Sequence, residues 1–166
     1  GVALPANVPR LIEERANDLF DRQLKPIHGI GDVLAGDSTP RCVCSNSGPN
    51  RLRRSLESTG LADYFMPDRI FSAAQVARPK PAADLHLHAI RHCGAERHRA
   101  LVIEDSVTGV EAARRAGITV FGFAGASHLG AGQAAALRDA GAALVFHEMS
   151  ALPALIEKAG GMRAAD

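Results

Sequence analysis

The stretch Leu101-Val-Ile-Glu-Asp-Ser-Val-Thr-Gly-Val-Glu-Ala-Ala-Arg-Arg-Ala-Gly117 constrains this chain more than any other part of it. The apolar run Leu101 to Ile103 reads as a buried strand. It ends on two adjacent carboxylates, Glu104 and Asp105. Ser106 has the chemistry of a helix N-cap. The helix it would open carries Gly109, Ala112, Ala113 and Ala116, small enough for close packing, and Gly117 ends it. In an open α/β sheet, ligands sit beyond the carboxyl ends of the strands. Two acids at that place suit a hard cation such as Mg²⁺, which takes oxygen ligands and often links a carboxylate to a substrate phosphate.

The rest of the chain repeats this alternation of short apolar runs and amphipathic stretches. Strands are predicted over 41–45, 69–72, 100–104, 119–123 and 143–146. Helices are predicted over 30–35, 49–59, 83–93, 107–116, 131–140 and 150–159, with a frayed tail after Gly160. Such alternation predicts an α/β fold, a parallel sheet with helices on both faces. Upstream, Asn7 to Leu24 reads as one more helix with a partly apolar stripe of Leu11, Ile12, Leu19 and Phe20. Lys25-Pro26-Ile27-His28-Gly29 breaks it, and Gly36-Asp37-Ser38-Thr39-Pro40 reads as a turn.

Composition excludes several classes. A net charge of +1 gives no reason to expect a nucleic-acid or membrane surface as partner. One Tyr and no Trp leave no platform for stacking bases. No apolar stretch is as long as a membrane helix, and no secretory signal opens the chain. The three cysteines, Cys42, Cys44 and Cys93, form no disulfide framework, so the expected setting is reducing and cytoplasmic. Cys42 and Cys44 read as two small buried residues of a strand. His88 and His92 have a spacing that can suit zinc, yet a solvated helix face is the better reading without a third ligand. His86 falls near the core-facing stripe of the same helix and reads as partly buried. Gly122 and Gly125 fit either a close backbone approach or plain turns.

Two further landmarks carry chemistry. Arg41-Cys-Val-Cys-Ser45 is a short strand running into Ser45-Asn46-Ser47-Gly48, and Pro79-Lys80-Pro81 is a stiff turn before a helix. Lys80 follows Ser45 by 35 residues, and Asp105 follows Lys80 by 25. Taken singly, the first is a polar turn, the second a surface lysine, and Glu104-Asp105 an acid pair favoured by a helix dipole. As an ordered set, with Gly109 and Asp68-Arg-Ile-Phe-Ser-Ala73, they resemble the haloacid dehalogenase (HAD) superfamily, in its phosphatase and phosphoglucomutase-like branch. Ser45 matches the second motif of that family, Lys80 the third, and Glu104 with Asp105 the fourth.

The resemblance implies a Rossmann-like core over residues 25–166, with residues 1–24 the remnant of a helical cap. It implies a Mg²⁺-dependent phosphatase acting on a small phosphorylated metabolite, with a sugar phosphate as first expectation and a mutase as a variant. Ser45 and Lys80 would be catalytic. Ser45, Asn46 through its backbone N–H, and Lys80 would bind phosphate, and Glu104 and Asp105 would hold the metal, Asp105 as the better ligand and Glu104 either directly or through metal-bound water. The family transfers its phosphoryl group to the first Asp of an Asp-x-Asp motif, and no Asp-x-Asp occurs in this sequence. The expectation is therefore a chain that starts inside the cap, with its central strand supplied by an N-terminal segment or a partner chain. A catalytically inactive binding or regulatory protein, or one half of a split enzyme, is the alternative. An unrelated nucleotide-binding domain ranks last, since neither Gly-x-Gly-x-x-Gly nor a Gly-Lys-Ser/Thr phosphate loop is present.

Overall fold

The structure is a computed structural model that describes Val8 and residues 24–126, 130 and 132–163. Apart from Val8 and Leu24, the helix expected over 7–24 lies outside the described residues. From Ile30 onward the elements alternate: α1 (Ile30–Gly36), β1 (Val43–Ser45), α2 (Pro49–Ser58), β2 (Ile70–Ser72), α3 (Asp84–His92) and β3 (Leu101–Glu104) come first. Then follow α4 (Val107–Arg115), β4 (Thr119–Phe123), α5 (Gln133–Asp139), β5 (Leu144–Phe146) and α6 (Leu152–Arg163). Single 3₁₀ turns fill several connections. The first strand is shorter than expected, because Arg41 and Cys42 precede the ladder. The last helix continues past Gly160 to Arg163 rather than fraying there.

All strand pairs are parallel, as alternation requires. They form two sheets. β1 pairs with β2 in the register Val43–Ile70 to Ser45–Ser72. β3 pairs with β4, Leu101 opposite Thr119, and β4 with β5, Phe121 opposite Leu144. Among the described residues no ladder joins β1 to β3.

The helices cover both faces of the three-stranded sheet, and β4 shows why. Phe121 and Phe123 point to one side and pack with Phe146, Met149 and Leu152, together with Ile30 and Val33 of α1. Val120 points the other way, into Val110 and Ala113 of α4 and Leu137 of α5. Period-two alternation along one strand thus feeds two apolar layers. Gly122 lies on the α5 side, where a Cβ would sit 3.1 Å from Leu137 Cβ, so its role is to let α5 approach. A third cluster, Phe71 with Leu85 and Ala89 of α3, seals the two-stranded sheet. Leu85, Val110 and Leu137 are fully buried, and truncating either leucine to Ala would remove on the order of 2–5 kcal/mol.

Several readings of individual residues change here. Cys42 is exposed and stands before β1, not inside it, while Cys44 is half-buried against the third cluster. His86 is 4% exposed, deeper than its position on the stripe suggested. His88 and His92 both meet Phe71 edge-on, with ring centroids 5.4 and 5.3 Å away; His88 is half-buried there, whereas His92 stays exposed, in keeping with a solvated face.

Candidate active site

A cleft of about 430 Å³ opens along the split between the two sheets. One wall is β1 with its following loop, Val43 to Asn46. The other is the end of β3, Ile103 to Ser106, with Phe123 and Met149 at the base. Lys80 lies between the walls. Ser45, Asn46, Lys80, Glu104 and Asp105 all line this cleft, so the structure brings together every site residue singled out in the sequence.

Lys80 bridges the split. Its ammonium donates to the Cys44 carbonyl of β1 at 2.9 Å and forms an ion pair with Glu104 Oε1 of β3. The two side chains are only 7% and 10% exposed. A buried charge in that setting is tolerable only when paired, so each requires the other. Glu104 is held at its second oxygen too, by a hydrogen bond from Ser106 Oγ at 3.0 Å. Ser106 in turn accepts from Gly109 N–H at 3.0 Å, the N-cap bond expected of it. The cap of α4 and the anchor of the acid are thus one hydroxyl. Gly109 completes the seat: a Cβ built there would fall inside the Glu104 carboxylate. The sequence showed a small residue suited to helix packing. That its smallness admits a carboxylate is visible only in three dimensions.

The other wall is set by polar loop contacts. Ser45 Oγ accepts from Ser47 N–H at 3.1 Å, which fixes the hydroxyl's orientation. Ser72 Oγ, from β2, donates to the Ser47 carbonyl at 2.6 Å and ties the loop to the sheet. Asn46 turns its side-chain amide onto the Lys80 backbone. Asp105 lines the cleft, and its backbone carbonyl accepts from the Gln133 side chain of α5. Arg78 pairs with Asp84 at 2.8 Å on the surface and is not among the residues lining the cleft.

Glu104 therefore stands as the counter-ion of Lys80, and Asp105 is the strand-end acid without a cation partner among the contacts described. Mg²⁺ is commonly held by one or two carboxylates, with water and substrate phosphate completing the shell. Asp105 fits that need. Among the described residues no group of three or more His, Cys, Asp or Glu forms a ready-made metal cage.

Behind Lys80, on α3, His86 is buried with its Nε2 unpartnered. Burial, helped by the Lys80 charge, lowers its pKa to about 4, while a contact with the Gly109 backbone works the other way. The ring is neutral at pH 7.

With the geometry in view, comparison with known proteins assigns the chain. A family model for haloacid dehalogenase-like hydrolases matches residues 3–123. The chain belongs to that family. It is 34% identical over 110 residues to the 6-phosphogluconate phosphatase of Escherichia coli, a match covering 66% of this chain and 49% of that protein. The chain thus spans about half the length of that relative. Among solved structures, a haloacid dehalogenase-like protein of Agrobacterium tumefaciens superposes with a TM-score of 0.85 at 40% identity, covering 96% of this chain and 72% of the other. A HAD family hydrolase of Deinococcus radiodurans, solved with phosphate and sodium bound, superposes with a TM-score of 0.81 at 32% identity, covering 96% and 70%. Both likenesses support the α/β assignment. No helix among the described residues is long and apolar enough to cross a membrane.

Proposed function

We propose that this chain is the core of a Mg²⁺-dependent phosphatase acting on a small phosphorylated metabolite, with a phosphorylated sugar acid or sugar as substrate class. The observation that carries the reading is the meeting of Ser45, Lys80 and Asp105 in one cleft at the carboxyl ends of β1 and β3. The bound phosphate of the Deinococcus hydrolase and the 6-phosphogluconate phosphatase named among the relatives support the substrate class.

Each residue has a distinct task. An ammonium has three N–H donors. Lys80 commits two, to Cys44 and Glu104, and the third is left for a phosphoryl oxygen. Ser45 accepts from Ser47 N–H, which leaves its own proton to donate to a second oxygen. Asn46 contributes its backbone N–H, its side chain being engaged elsewhere. Asp105 would hold the metal, and Glu104, already paired with Lys80 and Ser106, would serve as a second ligand either directly or through water. Mg²⁺ supplies charge neutralisation at the phosphate. Phosphoryl transfer is governed mainly by positioning and electrostatic stabilisation, and these residues provide both.

The nucleophile is the one part these residues do not supply, since no Asp-x-Asp occurs in the sequence. A strand carrying that motif would lie in the split between β1 and β3, from a preceding segment or a partner chain. The same fact favours a second reading, a non-catalytic binding or regulatory protein of this fold. The test is hydrolysis of a panel of sugar and sugar-acid phosphates with Mg²⁺. Residues 1–166 alone should show no turnover, and a chain preceded by an Asp-x-Asp strand should show it. Robust turnover by the 166 residues alone would refute the need for an outside nucleophile. Silence of both, with phosphate still bound, would favour the non-catalytic reading.

A further inference from the structure

The task assigned to Lys80 depends on where its ammonium stands, and the residues fixing that position lie outside the motif that contains it. Lys80 sits in the turn Pro79-Lys80-Pro81, closed by an Ala82 N–H bond to the Pro79 carbonyl at 2.9 Å. A turn between two prolines has little backbone hydrogen bonding of its own to hold it against a sheet. Two side chains do so instead.

Asn46 uses both ends of its amide on one residue. Its Oδ1 accepts from Lys80 N–H at 3.0 Å, and its Nδ2 donates to the Lys80 carbonyl at 3.0 Å. Such pairing leaves Lys80 neither translation nor tilt relative to the loop after β1. From the other sheet, Arg115 donates from NH1 to the Pro81 carbonyl at 2.6 Å. Its NH2 donates to Glu111 Oε2 at 2.9 Å, one helical turn back on α4. The guanidinium is therefore anchored before it reaches the turn. Asn46 belongs to the β1 side of the split and Arg115 to the β3 side. The turn is tied to both halves of the molecule, and so is the Lys80 ammonium it carries, through Cys44 and Glu104.

We infer that the side chains of Asn46 and Arg115 position Lys80, a two-sided clamp that sets the cation in the cleft, while the Asn46 backbone N–H keeps the separate phosphate contact proposed for it. The inference rests on the reading of Lys80 as the phosphate-facing charge. Asn46 is exposed, and the Arg115 side chain is 54% exposed, so their bonds add little to global stability. They restrain the turn, and catalysis is sensitive to displacements of that kind.

The experiment reads Lys80 directly and needs no turnover. Lys25, Lys80 and Lys158 are the only lysines of the sequence, so acetylation by an N-hydroxysuccinimide ester can be followed at each site by peptide mass spectrometry. In the unaltered chain, Lys80 should react far more slowly than Lys25, because its side chain is 7% exposed and paired. Asn46→Ala and Arg115→Ala should each speed acetylation of Lys80 several-fold and leave Lys25 and Lys158 unchanged. Arg115→Gln, which keeps an N–H donor near the Pro81 carbonyl and adds no lysine, should restore part of the protection. Unchanged Lys80 labelling in both Ala variants would overturn the clamp. Parallel acceleration at all three lysines would overturn it as well, since general loosening would then explain the effect. Faster Lys80 labelling in both Ala variants beside a failed hydrolysis panel would sink the phosphatase reading and leave the clamp standing.

Discussion

Gly109→Ala tests how the centre of the site is built. Alanine ordinarily stabilises a helix interior relative to glycine, by about 1 kcal/mol. Gly109 is buried in the first turn of α4, with no positive φ to excuse it, so propensity alone predicts a gain of at most that size. The structure predicts the opposite, because a Cβ there would occupy the space of the Glu104 carboxylate. The carboxylate can leave only by giving up Lys80 and Ser106 Oγ. Lys80 would then keep a largely buried charge without its partner, a situation that costs roughly 3–5 kcal/mol. Offsetting the helix gain, we expect a net loss of about 2–4 kcal/mol in urea denaturation. A double-mutant cycle isolates the cause. In a Glu104→Ala background the obstruction is gone, and Gly109→Ala should then be neutral or stabilising, a coupling above about 2 kcal/mol. A coupling near zero, or a gain from Gly109→Ala in the unaltered chain, would refute the idea that the glycine exists to seat the acid.

Three further outcomes follow from the same residues. The His86 pKa falls from 6.5 to about 4 on folding, chiefly through burial, so the unfolded chain binds the proton first as pH drops. Its contribution is fully present above the unfolded value and is lost between pH 6.5 and 4, by about 3 kcal/mol, and His86→Leu should flatten that part of a urea-midpoint profile. An equally steep profile in the variant would assign the acid sensitivity elsewhere. Cys42 is held near pKa 7 by hydrogen bonding from Cys44, then Cys93, and by the Arg69 charge, while Cys44 is pushed up by the same contact and by burial. Iodoacetamide at pH 7 should therefore modify Cys42 first, with a rate rising through pH 7, and faster alkylation of Cys44 in mass spectrometry would contradict this. In an enzyme completed by an Asp-x-Asp strand, added Mg²⁺ should partly rescue Asp105→Asn but leave Lys80→Ala slowed on the order of 10²–10³-fold. Equal rescue of both in a Mg²⁺ titration of initial rates would remove the separate role of Lys80.

Much of this molecule was legible in sequence because its information is local. Strand 119–123 and helix 107–116 announce themselves through periodicity, the Ser106 cap and the Gly117 stop, and the structure places them within a residue of those bounds. The site residues were legible for another reason: strand ends and proline turns are where an α/β fold puts its chemistry, and the order Ser45, Lys80, Asp105 is a property of the chain. What stayed hidden is relational. Glu104 and Asp105 are adjacent identical chemistries in sequence, yet one is bound to Lys80 and Ser106 and the other faces the cleft. The sequence already favours Asp105 as the metal ligand, but the ion pair that occupies Glu104 depends on a lysine 24 residues away. Asn46 is similar. Its type suggested a polar turn beside a phosphate, and only the approach of the Lys80 backbone, 34 residues on, turns it into a clamp. The exposed Cys42 misled for the converse reason, since apolar spacing cannot tell a residue that enters a ladder from one that stops just short of it. Sequence thus indicates which residues gather at the cleft, while the division of labour among them arises from contacts that cross the split between β1 and β3.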